Sequence, residues 1–184
     1  MSVPVARCAH LLVLGGVLLS GCSSHKPQAP DLRDEPVYEN SREGLRFLAP
    51  EGWTQHARAS LPPGKVETER LLVGYRRREE GKPAQLEVSR TDLPESTKLT
   101  EYLSGPAFGE RRWKARGRPE EFEINGASAV RSIFLAGAGK DEQVREVVSF
   151  RRGERCYFFS GLYSAGDTKA REEIRRSVGS VIWK

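Results

Sequence analysis

The stretch "RCYFFSGLY" at 155–163 constrains this chain more than any other. Its apolar residues fall at both odd and even positions, so as a strand it is apolar on both faces. Such a strand predicts the centre of a sheet, with neighbours on either side. Half-buried strands are expected around it. In "GLRFLA" Leu45, Phe47 and Ala49 alternate; in "ERLLVGYRRR" Leu71, Val73 and Tyr75 share a face. In "QLEVSRTDL" Leu86 and Val88 oppose Gln85, Glu87 and Ser89. In "QVREVVSF" Val144, Val148 and Phe150 line a face that Glu146 interrupts. Asn125-Gly126, within "EFEINGASAVRSIFLAG", is a strong hairpin signal because both residues tolerate positive φ.

Two segments have helical spacing instead. "STKLTEYLSG" offers Ser96 or Thr97 as a cap, Leu99, Tyr102 and Leu103 as a stripe, and Gly105 as a stop. In "DTKAREEIRRSVGSVIW" Ala170, Ile174, Val178 and Val181 recur at helical intervals, which predicts an amphipathic helix. Strands and helices show no regular βαβ alternation, so the expected class is α+β with an antiparallel sheet.

The N-terminus gives an address. The apolar run Leu11–Leu19 follows a single basic residue, Arg7. At about 1.5 Å per residue it covers roughly 15 Å, half of a hydrocarbon core of roughly 30 Å. A short positive flank, an apolar run and then small residues predict a secretory signal over 1–21. Leu19, Ser20, Gly21 and Cys22 resemble the lipobox of bacterial lipoproteins, which implies cleavage before Cys22 and lipidation of its thiol. An ordinary signal with an incidental cysteine is the alternative. Two or three acyl chains, palmitate among them, hold a domain stably at a membrane at ~0.8 kcal/mol per buried CH₂. Ser23 resembles the outer-membrane sorting signal of Gram-negative lipoproteins. The expected address is thus the cell envelope, on the periplasmic face of the outer membrane if the cell is Gram-negative. Residues 22–41, polar and broken by Pro30 and Pro36, read as a lipidated flexible tether. The globular domain is expected over 42–184.

The fragments "FLAPEGW", "LTEYL", "INGASAVRSIF", "VVSFRRGERCYFFSGLYSA" and "SVGSVIW" resemble, in order and content, the PsbP-like fold. Bacterial lipoproteins of the DcrB and LpqN kinds share that fold. The resemblance spans about 42–184. It implies an antiparallel sheet with helices packed on both faces, an α/β/α sandwich, acting as a non-catalytic binding or assembly module. It implies no cofactor and no shared catalytic motif, and residues 106–119 match nothing in it.

Catalytic constellations are sparse. His10 leaves with the signal and His25 lies in the tether, so His56 alone remains for the domain. A single histidine without paired cysteines argues against a zinc site. "LYSAG" has Leu162 where a nucleophile elbow needs glycine, and "FLAGAGKD" has Phe134 and Asp141 where a phosphate loop needs Gly and Ser or Thr. Carboxylates facing across a cleft leave no mark in sequence spacing, so an unrecognised hydrolase stays as a third reading. Cys156, in its aromatic stretch, reads as a small buried hydrophobe rather than a reactive thiol.

The formal net charge of +5 is modest and does not demand a polyanion. The basic stretch "GERRWKARGRPEEFE" concentrates it, with Arg111, Arg112, Lys114, Arg116 and Arg118 around Trp113. As a binding surface it would suit lipid headgroups, lipopolysaccharide phosphates or an acidic protein patch. Nucleic acid does not fit an envelope address. As scaffold it would be an edge strand or long hairpin with outward charges and Trp113 partly tucked into the core. The leading expectation is an interaction or assembly module with an unidentified envelope protein as partner; the alternative is an anionic ligand held by 111–118.

Overall fold

In the computed structural model, which describes residues 36–56, 69–78, 83–104 and 113–184, the stretch at 155–163 is central to a large antiparallel sheet. The signal 1–21, Cys22, Arg111 and Arg112 lie outside the described residues. Strand β10 (Arg155–Ser164) is bonded on one side to β9 (Gln143–Arg152) and on the other to β5 (Ala84–Asp92). Beyond β5 come β4 (Arg70–Arg77) and β3 (Thr54–His56). Beyond β9 comes β8 (Ala127–Ala136), which pairs with both β7 (Glu120–Ile124) and β6 (Lys114–Ala115). A second sheet has the order β1 (Val37–Asn40), β2 (Leu45–Leu48), β11 (Ile182–Trp183).

Alternation along β10 sorts its side chains into two cores. Tyr157, Phe159 and Tyr163 join Val73, Tyr75, Leu86, Val88, Val148 and Phe150 on one face. Helix α2 (Thr168–Gly179) covers that face with Ala170, Ile174 and Val178, beside Leu45 and Phe47 of β2. Phe47 and Phe150 both stand edge-on to Phe159, the geometry that ring quadrupoles favour. Cys156 and Phe158 point the other way, into a smaller core with Val130, Phe134 and Val147. There α1 (Leu99–Ser104) contributes Leu103, with Leu99 and Tyr102 at the margin. Each face of the sheet therefore carries a helix, the shorter one covering the smaller core. Among the described residues no helix is long and apolar enough to cross a membrane.

Capping fixes where α2 begins. The Asp167 carboxylate accepts from the Ala170 amide at 3.0 Å and is paired with Arg77 of β4, both groups being nearly buried. At the other end the Ser180 hydroxyl accepts from the Leu48 amide at 2.8 Å, fastening the helix exit to β2.

Three expectations need correction. The folded part starts before residue 42: β1 pairs with β2, Ala49 N–H donates to Pro36 O at 2.7 Å, and Tyr38 packs on Phe47. One aromatic in a polar stretch is too little alternation to read as a strand. In β4 the register skips from Leu71↔Ser89 to Val73↔Val88, so a bulge puts Leu71 and Val73 on opposite faces. The last helix stops at Gly179; Val181 is buried beyond it, and Ile182–Trp183 form β11 on β2.

Candidate functional site

Three turns and ends that are distant in sequence meet in a basic shelf. The β1–β2 turn brings Arg42, Glu43 and Gly44; the β9–β10 turn brings Arg152 and Arg155; Lys184 follows β11. Gly44 has φ +62°, and a Cβ there would lie 2.7 Å from the Lys184 carbonyl oxygen, so glycine is required by conformation and by space. Lys184 N–H donates to Gly44 O at 2.8 Å, closing the turn onto the C-terminal strand. The Arg152 guanidinium lies over the Trp183 ring, 5.2 Å from its centroid.

Glu43 organises this surface. Mostly buried, it accepts from Arg90 at 2.9 Å and from the Tyr157 hydroxyl at 2.8 Å, and pairs with Arg155 at 3.5 Å. Burial first, and the bond to Glu43 second, push the Tyr157 hydroxyl above its ordinary value, so it remains a donor. Arg151, behind the turn, donates to the carbonyls of Leu93, Pro94 and Thr97 and ties the hairpin to the segment that leads into α1. With Glu39 paired to the Lys184 ammonium at 2.6 Å, the open depression, about 760 Å³, is lined by Arg42, Arg151, Arg152, Arg155, Lys184 and Glu43. It suits a carboxylate- or phosphate-bearing surface.

A second feature is a partly open pocket. Between α2 and β7, β8 and β9 lies a cavity of about 180 Å³. Phe122, Ile124, Val148, Phe159, Ile174 and Val178 form its apolar walls; Arg131, Glu146 and Arg175 form a polar one. Glu146, 3% exposed, accepts from the Tyr163 hydroxyl at 2.9 Å and from Arg175 Nε at 3.1 Å to each oxygen; Arg131 stands 3.8 Å away. Burial, then the Glu146 charge, raise the Tyr163 pKa well above the usual phenol range. The interruption seen at Glu146 in β9 is thus a buried carboxylate on the α2 face, held by two guanidiniums and a phenol.

The basic segment at 111–118 is partly described. Lys114 and Ala115 pair with Leu135 and Phe134 of β8, and Arg116 N–H donates to Ile133 O at 2.7 Å. Lys114, Arg116 and Arg118 are exposed, whereas Trp113 is half-buried against the smaller core. Cys156 is fully buried, and burial is the leading cause that raises its thiol pKa. His56 ends β3 with its ring over Gly74, where a Cβ would come within 2.5 Å of Nε2. Among the described residues no group of three or more His, Cys, Asp or Glu is placed to hold a metal ion. Sequence reasoning missed the shelf: "SREG" and "RRGER" read separately as turns, and nothing in either announces the other.

No family model matches the chain, and no curated protein matches it. Solved structures do. Cyanobacterial PsbP (CyanoP) from Synechocystis sp. PCC 6803 is similar with TM-score 0.55 and 16% identity, over 81% of this chain and 92% of that one. LpqN of Mycobacterium tuberculosis, a protein involved in cell envelope biogenesis, is similar with TM-score 0.50 and 9% identity, over 82% and 86% of the two chains. A Bacteroides thetaiotaomicron protein is similar with TM-score 0.51 and 6% identity, and this chain spans about half of it, 48%. At these identities it is the fold alone that is shared, a mostly antiparallel sheet of the PsbP-like kind.

Proposed function

We propose that the protein is a non-catalytic interaction module of the cell envelope, anchored by lipid on Cys22, which docks an acidic partner protein on the basic shelf. The observation that carries this is the shelf itself. Its cations come from three separate segments, and Glu43, Gly44 and Trp183 hold the surface in place before any partner arrives. A preorganised charged surface loses little entropy on binding. The similarity to LpqN supports the envelope setting, and Ser23 after the lipobox-like Cys22 favours the outer membrane.

A second reading rests on the exposed edge strand. Lys114 and Arg116, with Arg111 and Arg112 ahead of them in sequence, would contact an anionic envelope ligand such as a lipid headgroup or lipopolysaccharide phosphate. In-cell crosslinking followed by mass spectrometry separates the two. Under the leading reading Arg42→Glu with Arg155→Glu abolishes a crosslink to an acid-rich protein, and the wild-type crosslink weakens as salt rises. Replacing Arg111, Arg112, Lys114 and Arg116 by Ser leaves that crosslink intact. The opposite pattern transfers the function to the edge strand, and a crosslink indifferent to both sets removes both readings.

A further inference from the structure

The partly open cavity beneath α2 shares no lining residue with the shelf, and its chemistry is specific. At about 180 Å³ it is close to the ~150 Å³ that holds one benzene ring in an apolar protein cavity. Its polar wall limits what the guest can carry. Its two guanidiniums are matched by two carboxylates, Glu146 and Glu120, the latter paired with Arg131 at 2.5 Å, so a charged guest of either sign would give up its hydration without gaining a free counter-charge. That desolvation cost disfavours either. A neutral hydroxyl meets no such penalty. Arg131 Nε–H is buried and has no acceptor, while Glu146 accepts few enough bonds to take one more. A hydroxyl accepts from the first and donates to the second.

We propose that this cavity is a binding site for a compact neutral molecule, one ring or about six carbons in size, that carries a single hydroxyl group. The ring lies among Phe122, Ile124, Phe159, Ile174 and Val178, with the hydroxyl towards Arg131 and Glu146. Arg175, 44% exposed, forms the outer edge past which the guest enters.

The test uses the full chain in nonionic detergent with 4-fluorophenol as probe, followed by fluorine NMR. Comparison with Val178→Phe, which fills the cavity, cancels partition of the probe into micelles. Wild-type protein is expected to bind 4-fluorophenol saturably, with displacement by cyclohexanol, and Val178→Phe to bind at least tenfold more weakly. Ile124→Phe serves as a second filled variant if circular dichroism shows the first misfolded. Arg131→Met is expected to weaken 4-fluorophenol about fivefold, roughly the loss of one hydrogen bond, and to leave fluorobenzene unaffected. Equal signals from wild type and a folded filled variant overturn the site. So do failure of cyclohexanol to displace the probe, and 4-fluorobenzoate binding as tightly as 4-fluorophenol.

Discussion

Asn125 serves two structural ends through one side chain and one backbone angle. With φ +49°, followed by Gly126 at +78°, it turns the chain between β7 and β8. Its amide also donates to Gly179 O at 3.3 Å, on the last residue of α2, and to Val181 O at 2.9 Å, just beyond the helix. The turn was legible in the dipeptide; the second role was not, because its acceptors lie more than fifty positions away. The two roles are separable. Asn125→Gly keeps the backbone conformation and loses the bonds, for an expected cost of about 1–2 kcal/mol. Asn125→Ala adds left-handed strain of about 1 kcal/mol. Denaturant melts should rank wild type above the Gly variant and Gly above Ala; a Gly variant as stable as wild type would assign no stability to the side-chain bonds. Cys156 shows the other extreme, since its aromatic neighbours in the sequence were enough to bury it.

Among the elements, α2 depends on a gap in the strand it covers. A Cβ at Gly161 of β10 would sit 2.7 Å from Ile174 Cγ2 and 3.1 Å from its Cδ1, so the helix lies against the bare backbone at that point. Gly161→Ala is expected to lift α2 and destabilise the domain by about 1–3 kcal/mol, as overpacking does. Combining it with Ile174→Ala should recover part of that loss in a double-mutant cycle, because the clashing atoms are gone. Strictly additive losses would mean that the strand accommodates the methyl group elsewhere. The periodicity of α2 was readable from Ala170, Ile174 and Val178, whereas its end was not. Val181 keeps the helical interval but lies past the exit, where Ser180 N–H donates back to Arg176 O and Ser177 O.

The molecule buries three of its phenols, those of Tyr75, Tyr157 and Tyr163, and partly covers those of Tyr38 and Tyr102. All five tyrosines, Tyr38, Tyr75, Tyr102, Tyr157 and Tyr163, have raised pKa values with burial as the leading cause, Tyr75 being pushed up to about 12. A folded pKa above the unfolded one means that the native state holds these protons more tightly. The stability they contribute is full below about pH 10 and is lost as pH rises through the folded values. Tyrosinate absorbance is therefore expected to appear above about pH 10 together with loss of the aromatic circular dichroism, as one cooperative event. Stepwise ionisation near pH 10 with the fold intact would contradict the burial of these rings.

Local alternation and helical spacing were sufficient for the central strand, the β7–β8 turn, both helices and the mixed class, because each of those signals is complete within about ten consecutive residues. From the same residues the resemblance to the PsbP-like fold could be drawn. Tertiary structure decided the rest. β1 and β11 are short strands with one or two apolar residues each, too few for a period, and they exist because β2 lies between them. The bulge in β4 follows from its register against β5. Glu146 is buried because Arg131, Arg175 and Tyr163 come from three other elements to meet it. The shelf and the cavity are assembled in the same way, from side chains whose neighbours in sequence say only turn, strand or helix. Coulomb attraction and hydrogen bonding act at a few ångströms in space, and only the folded chain sets which residues stand at that distance.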